Sequence, residues 1–344
     1  MRIALDATYS TGSEPSGIGI YSHEILNGLV RTYPQNRYLF CYRWKQWRQH
    51  HAPIPANARR RLLQAPLPTF RADLFHALNQ RVDRRPARKV VSTFHDLFVM
   101  TSDYSSAEFQ QRFASQAKRA AENSDIVIAV SKFTANQVCS LLGFERSRIR
   151  VVPHGVHVPP ASLKKMERQK IILSVGTLQK RKNIASLVEA FEGLPQEWRL
   201  VLAGAPTGFG ANEILRRIEN SRSRERIEVT GYLSNDDLHT LYARASIFAF
   251  PSLDEGFGIP VLEAMAHGLP VVTSNISALP EVAGSAALLV DPQRPEAIRS
   301  ALWSFIQDEE MRERFSKAGL ARAGGFGWGR SVEETYRVYE ELVS

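Results

Sequence analysis

The chain has 344 residues, of which 44% are hydrophobic and 23% are charged, and this composition is typical of globular domains. Its length suggests about two domains. No stretch reaches the roughly 18 consecutive apolar residues of a membrane-spanning helix, and Asp6 comes early where a signal peptide would be uniformly apolar. Cys41 and Cys139 match no metal or redox spacing, which excludes a disulfide scaffold. We therefore expect a soluble, cytoplasmic protein.

Basic residues are concentrated in the first part of the chain. Residues 1–160 contain 22 Lys and Arg against 11 Asp and Glu, whereas the remaining residues contain 22 against 24. The densest cluster comprises Arg59, Arg60, Arg61, Arg81, Arg84, Arg85, Arg88 and Lys89. This asymmetry predicts either an anionic partner or a solvated basic face. Nucleic acid is disfavoured, because no zinc-finger or RNP pattern is present and aromatic residues are not interleaved with these arginines.

Short β-branched runs alternate with amphipathic stretches, which indicates βαβ units with parallel sheets buried on both faces. The strands predicted in the first half are 2–6, 38–42, 89–93, 125–130 and 150–153. A helix is predicted over 18–33, where apolar residues recur at helical spacing. A second helix is predicted over 132–142, with Ser131 as its N-cap.

A second series of strands follows a polar, proline-containing segment, residues 156–170, that we interpret as a linker. Its predicted strands are 170–175, 198–203, 226–229, 246–250, 269–273 and 287–290, and its predicted helices are 183–192, 211–220, 235–243, 260–267 and 295–307. We therefore predict an α/β protein with two Rossmann-like domains, 1–160 and 161–325. The carboxyl ends of their two sheets are expected to face a cleft that binds the ligands.

The segment SIFAFPSLDEGFGIPVLEAMAHGLPVV, residues 246–272, predicts a buried strand, a glycine-rich turn and a helix with Pro260 in its first turn. The amides of the turn then converge at a helix N-terminus that favours a phosphate, and they belong to Gly256, Phe257, Gly258 and Ile259. Glu255 and Glu263 flank the turn, and a carboxylate can accept hydrogen bonds from vicinal sugar or ribose hydroxyls. The alternative for Glu263 is that it only complements the helix dipole.

A second motif, SVGTLQKRKN, residues 174–183, follows the first strand of the second half and opens its first helix. It places Arg181 and Lys182 where two cations can neutralise the charge that grows on a leaving diphosphate. The alternative is a basic helix start with solvated side chains.

Two motifs of the first half are weaker. Gly17 and Gly19 resemble a dinucleotide fingerprint only in part, because Ser22 replaces the third glycine and no acidic residue follows near position 40, so NAD is not expected. His95 and Asp96 end a predicted strand, where His95 can exchange a hydrogen bond with a sugar or acceptor and Asp96 can orient it or bind the acceptor. A turn without ligands and a structural histidine are the respective alternatives.

The segment EGFGIPVLE resembles the Glu-x7-Glu motif of the retaining, GT-B-fold nucleotide-sugar glycosyltransferases of family 4, also called glycosyl transferases group 1. The resemblance extends over nearly the whole chain. It implies that Glu255 lies by the hydroxyls of the transferred sugar and that Glu263 lies by the nucleotide ribose. It gives Arg181 and Lys182 the diphosphate, although Thr177 stands where relatives often have another arginine.

The same resemblance extends to weaker positions. It implies that Gly19, with Gly17, faces the diphosphate, and that His95 lies beside the transferred sugar. It places Tyr232 and Leu233 in the loop that binds the base. It also implies that a C-terminal helix, 329–342 within the segment 326–344, returns to the first domain.

This family membership would make the chain an enzyme that transfers a hexose with retention by a front-face mechanism. No metal or other cofactor is expected, since no Asp-x-Asp, His/Cys cluster or Walker loop is present. The chain resembles bacterial mannosyl- and rhamnosyltransferases of polysaccharide assembly, so GDP-mannose is the first expected donor and a UDP-hexose the second. The expected acceptor is a glycan or lipid-linked glycan, bound by the first domain.

The basic first domain predicts peripheral contact with the anionic inner face of the membrane. Two alternatives remain open at the level of function. One is a non-hydrolysing sugar-nucleotide epimerase, and the other is a non-catalytic module that binds sugar nucleotides.

Overall fold

The computed structural model describes residues 1–11, 17–49, 53–63, 71–160, 163 and 166–344. Residues 13–16 of the glycine-rich loop and residues 161, 162, 164 and 165 of the predicted linker lie outside the described residues. The chain divides into two units. The first unit contains Met1–Thr101, Ser106–Gly155 and Gly327–Ser344, and the second unit contains Ser102–Ser105 and Val156–Phe326.

Seven parallel strands form the sheet of the first unit, in the order β3-β2-β1-β4-β5-β6-β7. Their bounds are Arg2–Asp6 (β1), Arg37–Tyr42 (β2), Ala58–Leu62 (β3), Leu74–Ala77 (β4), Lys89–Phe94 (β5), Ile126–Ala129 (β6) and Ile149–Val151 (β7). The sequence predicts β1, β2, β5, β6 and β7 to within two residues at each end. It does not predict β3 or β4.

The two unpredicted strands, β3 and β4, lack the sequence pattern that is typical of a buried strand. β3 reads ARRRL and pairs with β2 alone, at the edge of the sheet, where charged side chains discourage pairing with other chains. Its Arg60 guanidinium lies 4.8 Å from the centroid of the Trp47 ring, so this arginine is packed on an aromatic residue that is distant in sequence. β4 has only four residues, and buried His76 is one of them.

Helices cover both faces of this sheet. They include Gly17–Thr32 (α1), Trp44–Gln49 (α2), Ala107–Glu122 (α3) and Lys132–Leu142 (α4). Successive strand residues point to opposite faces, so Leu5 and Ile128 pack in a core with α1, while Ala4 and Val127 pack in a core with α3 and α4. The N-cap prediction is confirmed, because the Ser131 hydroxyl accepts a hydrogen bond from the Thr134 amide at 3.0 Å.

Six parallel strands form the sheet of the second unit, in the order β10-β9-β8-β11-β12-β13. Their bounds are Ile171–Val175 (β8), Arg199–Ala203 (β9), Ile227–Gly231 (β10), Ile247–Phe250 (β11), Val271–Ser274 (β12) and Leu288–Val290 (β13). The sequence predicts all six. β8 lies between β9 and β11, so the turns that follow β8 and β11 leave the same edge of the sheet side by side.

The helices of the second unit are Ile184–Phe191 (α5), Ala211–Glu219 (α6), Asn235–Arg244 (α7), Ile259–Ala266 (α8), Leu279–Ala283 (α9), Pro295–Gln307 (α10) and Glu309–Ala323 (α11). Five of these match predicted helices, whereas α9 and α11 were not predicted. None of the helices in the described ranges has the length and apolar content needed to cross a bilayer.

The last helix, Trp328–Val343 (α12), belongs to the first unit and packs against α1. The Tyr339 hydroxyl lies 2.5 Å from His76 Nδ1, and His76 Nε2 lies 2.8 Å from the Thr93 hydroxyl. Burial, with a smaller effect of His95, lowers the pKa of His76 to about 3. The ring is therefore neutral at physiological pH and joins α12 to two central strands without burying a charge.

The close packing of α1 on α12 leaves no room for an added methyl group at Gly28, so we expect its substitution to change the stability of the fold. A Cβ atom on Gly28 would lie 2.4 Å from Cγ2 of Val332, a stiff β-branched side chain. Gly28→Ala should therefore lower the free energy of unfolding by about 1–3 kcal/mol. A Cβ on Gly329 meets nothing within 4 Å, so Gly329→Ala is the matched control and should be neutral or stabilising. Urea denaturation measures both, and equal midpoints for the two variants would contradict the close packing.

Candidate functional site

Two loops of the second unit meet at the carboxyl edge of its sheet. A 3-10 turn, Lys180–Lys182, follows β8, and the loop 251–258 follows β11. The Leu253 amide donates to the Arg181 carbonyl at 2.7 Å, and the Ser252 hydroxyl oxygen lies 3.0 Å from the same carbonyl oxygen. Asn183, with a φ of 57°, donates its side-chain amide to the carbonyls of Pro251 and Pro292. The two loops are therefore held together by uncharged hydrogen bonds from the backbone and from side chains before any charge is considered.

Glu255 is the centre of a buried ion cluster between these loops. Its Oε1 atom lies 2.7 Å from Arg181 Nη1 and 2.6 Å from Lys182 Nζ, and it also accepts the Ser252 hydroxyl at 2.7 Å. Arg181 Nη1 donates to the Asp254 carbonyl as well, at 2.8 Å. The Lys182 ammonium lies 4.5 Å from the centroid of the Phe250 ring. One carboxylate oxygen thus fixes the positions of both cations.

The charges of this cluster determine the ionisation of Glu255. Burial alone would raise the pKa of the carboxyl, but the positive charges of Arg181 and Lys182 and their hydrogen bonds outweigh burial and hold the pKa at about 2. Glu255 is therefore an anion at every physiological pH. An ionised carboxylate can only accept hydrogen bonds, so it suits cations and hydroxyl groups.

The glycine-rich turn leads from Glu255 into α8, and Ile259 and Pro260 are the first two residues of that helix. Gly258 has a φ of 111°, and a Cβ atom on it would lie 2.7 Å from the Leu279 side chain, so both conformation and space require glycine. Gly256 and Phe257 are buried in the same turn. The predicted residues 256–259 thus lie at the N-terminus of a helix, where the helix dipole favours an anion.

Glu263 lies on α8, one turn beyond Ile259, and is half-buried. The Tyr242 hydroxyl donates to Glu263 Oε2 at 2.9 Å. Burial raises the pKa of Glu263, and the Tyr242 hydrogen bond and His157 partly oppose that rise. The His267 ring stacks on Tyr242 with centroids 4.9 Å apart. This carboxylate is therefore held by an uncharged hydroxyl from α7, in contrast to the cations around Glu255.

Tyr232 and Leu233 lie in the loop between β10 and α7. The Tyr232 side chain is 45% exposed, so its ring is accessible to a ligand. Thr177 is also exposed, at the position where the family pattern often has arginine. Next to Thr177 in the chain, the Gly176 carbonyl oxygen would lie 2.1 Å from a Cβ atom on Gly204. The loops after β8 and β9 are therefore in contact through backbone atoms.

The remaining predicted residues belong to the first unit. Gly17 is exposed at the start of α1, Gly19 is buried one position beyond Ile18, and Asp96 is half-buried after β5. The structure thus brings Arg181, Lys182 and Glu255 into direct contact, while His95 belongs to a separate cluster.

His95 is 6% exposed and both of its ring nitrogens have protein neighbours. Nε2 lies 2.9 Å from the Leu78 carbonyl oxygen, which can only accept, and Nδ1 lies 3.3 Å from His154 Nε2. Burial lowers the pKa of His95 to about 4, so the ring is neutral with its proton on Nε2. A substrate contact by His95 stays a prediction, and it requires the exchange of one of these hydrogen bonds.

Three residues that support the site were not predicted. Ser252 shares Glu255 with the two cations, Asn183 ties the 3-10 turn to the end of β11, and Tyr242 holds Glu263. Ser252 lies in the segment 246–272, and Asn183 ends the segment 174–183. Each is a polar residue in a loop that follows a buried strand, and this position could have predicted a supporting role. Tyr242 has no such signal, because its relation to Glu263 arises only from the packing of α7 on α8.

The chain matches two family models that together cover most of its length. Residues 159–322 match the model described as glycosyl transferases group 1, and residues 17–158 match the model described as glycosyltransferase family 4.

Two relatives from Escherichia coli are among the most similar curated proteins. The O-antigen chain mannosyltransferase B is 32% identical over 285 residues, which cover 78% of this chain and 74% of that protein. The serotype-specific mannosyltransferase WbdA is 30% identical over 278 residues, which cover 74% of this chain but 34% of WbdA. The chain therefore spans only about a third of the length of the second relative.

Solved structures share the fold at lower identity. The sucrose-phosphate synthase from Thermosynechococcus elongatus has a TM-score of 0.81 and 21% identity, with 99% of each chain covered. Anabaena HepE, solved in complex with UDP and glucose, has a TM-score of 0.73 and 18% identity, with 100% of this chain and 99% of that chain covered. These similarities show that the chain shares the fold of these proteins.

The ionisation of Glu255 predicts a pH-dependent stability. Because its folded pKa is about 2 against an ordinary 4.5, the carboxylate stabilises the fold above pH 4.5, and this stabilisation is lost as the pH falls towards 2. The full effect is on the order of 3 kcal/mol. Glu255→Gln should be less stable than the wild type at neutral pH, since two buried cations lose their counter-charge. Its stability should also fall less steeply with acidification.

Glu192 offers a comparison at a second place in the same unit. Its pKa is likewise about 2, chiefly through a hydrogen bond from Arg217. Glu192→Gln should therefore show a reduced pH dependence of its own. Denaturant midpoints measured from about pH 5 to pH 3 test both variants. Identical slopes for wild type and Glu255→Gln would show that Glu255 is not ionised as described.

Proposed function

Because the chain belongs to glycosyltransferase family 4, the glycosyl transferases group 1, and has the GT-B fold of that family, we propose that its second unit binds a nucleotide sugar through the Glu255 cluster. The observation that carries this proposal is the contact of Arg181 and Lys182 with one oxygen of Glu255. The chain is a glycosyltransferase. Its donor, the stereochemistry of transfer, its metal requirement and its acceptor are parts of the proposal.

The proposed donor is GDP-mannose, and the transferred group is a mannosyl residue. Support comes from the two relatives near 30% identity, both of which are mannosyltransferases by name. A UDP-hexose is the second candidate, since one neighbour of the same fold was solved with UDP and glucose. In either case the proposal has Tyr232 contact the base and Glu263 accept hydrogen bonds from the ribose hydroxyls.

Arg181 and Lys182 act on the charge of the leaving group in this proposal. When the bond between the anomeric carbon and the phosphate oxygen breaks, negative charge grows on the departing diphosphate. Cations already fixed by Glu255 stabilise that charge without reorganising, and such preorganised electrostatics usually make the largest single contribution to catalysis. The N-terminus of α8 adds a favourable dipole. These groups supply the electrostatic role that a divalent metal would otherwise fill, so we propose metal-independent transfer.

The proposed chemical step retains the anomeric configuration. The acceptor oxygen forms its bond to the anomeric carbon on the face that the diphosphate leaves, and its proton passes to the departing phosphate oxygen. No protein nucleophile is required. Proton NMR of the initial product reads the configuration directly, and an inverted product would exclude this step.

Replacement of Lys182 tests the role of the cluster. Lys182→Met should lower the rate of transfer by about 100-fold or more, because a preorganised charge is lost at the leaving group. Lys180→Met is the matched control, since Lys180 lies on the same 3-10 turn with an exposed side chain. Glu192→Gln controls for the loss of an ion pair elsewhere in the unit. A near-native rate in Lys182→Met, with normal rates in both controls, would refute the assignment.

The identity of the donor and the role of metal are tested by nucleotide binding. A ligand at 100 times its dissociation constant stabilises the folded state by about 2.7 kcal/mol, which raises the melting temperature by several degrees. We expect GDP to do so more than UDP or ADP, with no loss of the effect in EDTA. A selective UDP shift would move the proposal to a UDP-hexose. A shift that EDTA abolishes would contradict metal-independent binding.

We further propose that the protein works in the cytoplasm, at the inner face of the membrane, on a lipid-linked glycan. The support is the excess of basic residues in the first part of the chain, including Arg59 and Arg61 on the edge strand β3. Each cation near an anionic surface contributes about 1 kcal/mol. Arg60 is packed on Trp47, so a test should leave it in place.

Vesicle partitioning measures this contact. The double variant Arg59→Gln, Arg61→Gln should bind anionic vesicles about tenfold or more weakly than the wild type, with the difference reduced by salt. Arg216→Gln, Arg244→Gln removes the same charge from exposed positions on α6 and α7 of the second unit and serves as the control. Equal partitioning of both double variants would remove β3 from the membrane contact.

A further inference from the structure

Glu263 is a carboxylate that its protein surroundings satisfy only in part. Its Oε2 accepts the Tyr242 hydroxyl at 2.9 Å, and in the described part of the chain no other hydrogen bond or ion pair reaches this carboxylate. Burial raises the pKa of the half-buried group, so desolvation outweighs the help it receives from its neighbours. The second oxygen, Oε1, therefore keeps lone pairs that hydroxyl groups of a ligand can satisfy.

The Tyr242 hydroxyl is a rigid donor to this carboxylate. The side chain is 1% exposed, and the centroid of its ring lies 4.9 Å from that of His267 and 5.8 Å from that of Phe248. Burial and the negative charge of Glu263 raise the pKa of Tyr242 well above its usual range, so the phenol keeps its proton. Rotation of the carboxylate would break this hydrogen bond. Tyr242 thus limits the orientations in which Oε1 can accept.

A second hydrogen-bonded connection joins α7 to the end of α8. His267 Nδ1 lies 2.7 Å from the Glu263 carbonyl oxygen, which can only accept, so Nδ1 carries the proton of this ring. Burial lowers the pKa of His267 to about 4, which leaves Nε2 unprotonated near neutral pH. His239 Nδ1 lies 3.0 Å from that Nε2 and therefore donates to it. His239 and Tyr242 are one turn apart on α7, so this helix makes two successive connections to groups of α8.

Arg168 joins the carboxyl ends of the same two helices. Its Nη1 donates to the Ala245 carbonyl at 2.6 Å, and its Nη2 donates to the His267 carbonyl at 2.6 Å. Ala245 and His267 directly follow α7 and α8, where the last carbonyls of a helix lack partners within it and carry partial negative charge. One planar guanidinium therefore fixes the distance between two helix ends. Arg168 belongs to the segment 156–170, which contains none of the motifs of the site.

We propose that Arg168, His239, Tyr242 and His267 form a bridge between α7 and α8 that positions Glu263 for the ribose hydroxyls of the donor. Tyr242 orients the carboxylate directly, whereas the other three hold the two helices at the spacing that this contact requires. All four are positioning residues, because they act through Glu263. The protein should consequently prefer ribonucleotides to deoxyribonucleotides, and the size of this preference should depend on Tyr242. The inference rests on the proposed function, in which Glu263 binds the ribose.

Calorimetry with the full chain measures this preference through two ligands, GDP and a dideoxy-GDP that lacks both ribose hydroxyls. The wild type should bind GDP about tenfold or more tightly than dideoxy-GDP, because Glu263 loses its ligand donors in the second complex. Tyr242→Phe should bind GDP about fivefold more weakly than the wild type, yet bind dideoxy-GDP within about twofold of it. Equal weakening for both ligands would show that Tyr242 only supports the fold, and it would overturn the proposal.

Tyr38→Phe is the matched control for this substitution. Tyr38 is also 1% exposed, and its hydroxyl donates to the Leu29 carbonyl at 2.9 Å within the first unit. Its loss removes a buried hydrogen bond of the same kind without touching α7 or α8. We expect lower stability but the same affinities for GDP and dideoxy-GDP as in the wild type.

Arg168→Gln tests whether the helix ends belong to the bridge. It should reduce the preference for GDP over dideoxy-GDP by about threefold, because α7 carries the donor that orients Glu263. Arg226→Gln is its control, since Arg226 Nη1 donates to the carbonyls of Pro195 and Trp198 elsewhere in the same unit. If both arginine variants leave the preference as large as in the wild type, the bridge is overturned.

Glu263→Gln separates this inference from the proposed function. If Glu263→Gln loses the preference for GDP over dideoxy-GDP and Tyr242→Phe retains it, Glu263 binds the ribose and only the bridge fails. If the wild type binds both ligands equally, or binds no nucleotide, the ribose role of Glu263 fails and the bridge fails with it. Should UDP bind more tightly than GDP, the same comparison applies to the uridine nucleotides.

Transfer assays give a second readout of the bridge. Tyr242→Phe should raise the KM for the donor about fivefold and leave kcat within about twofold of the wild type, because the ribose hydroxyls lie outside the bond that breaks. A fall in kcat with an unchanged KM would contradict a role in ribose binding.

Discussion

The second unit depends on a single carboxylate oxygen that accepts from three donors. Glu255 Oε1 receives Arg181, Lys182 and Ser252, and these residues come from the loops after two neighbouring strands. Two cations cannot be buried so close together without a shared anion, because desolvation and mutual repulsion would both oppose it. The same residue also begins the glycine-rich turn that leads into α8. In this region the conformation of the two loops and the positions of the buried charges therefore depend on each other.

Much of this arrangement is predictable because a parallel sheet brings strand ends together. Arg181, Lys182 and Glu255 each follow a predicted strand, and β8 and β11 prove to be neighbours. The family and the GT-B fold, predicted from the Glu-x7-Glu motif, are confirmed by the family models and the structural neighbours. Tyr242 could not be predicted, since the contact of its hydroxyl with Glu263 depends on how one helix rotates against another.

In the first unit, two of the seven strands could not be predicted from the sequence, for a different reason. Its strands β3 and β4 lack the apolar alternation on which prediction relies, since one carries three arginines and the other is four residues long. Its buried histidines are neutral because burial lowers their pKa values, so charge patterns do not reveal them. For His95, the sequence predicts a contact with a sugar or acceptor. In the structure its ring nitrogens lie near the Leu78 carbonyl and His154. The spatial neighbours of a histidine decide its role, and they are not adjacent in the chain.

The place of α12 has a consequence for how the molecule is made. Tyr336 accepts a hydrogen bond from Asn36, 300 positions earlier, and Tyr339 meets His76 across 263 positions. A chain that leaves the ribosome from its amino end can complete the second unit before the first, because the first still lacks a helix. The early segment must wait with part of its apolar surface uncovered until residues 328–343 emerge. The order of synthesis and the order of folding therefore differ, because the unit that is synthesised first is the last to complete its fold.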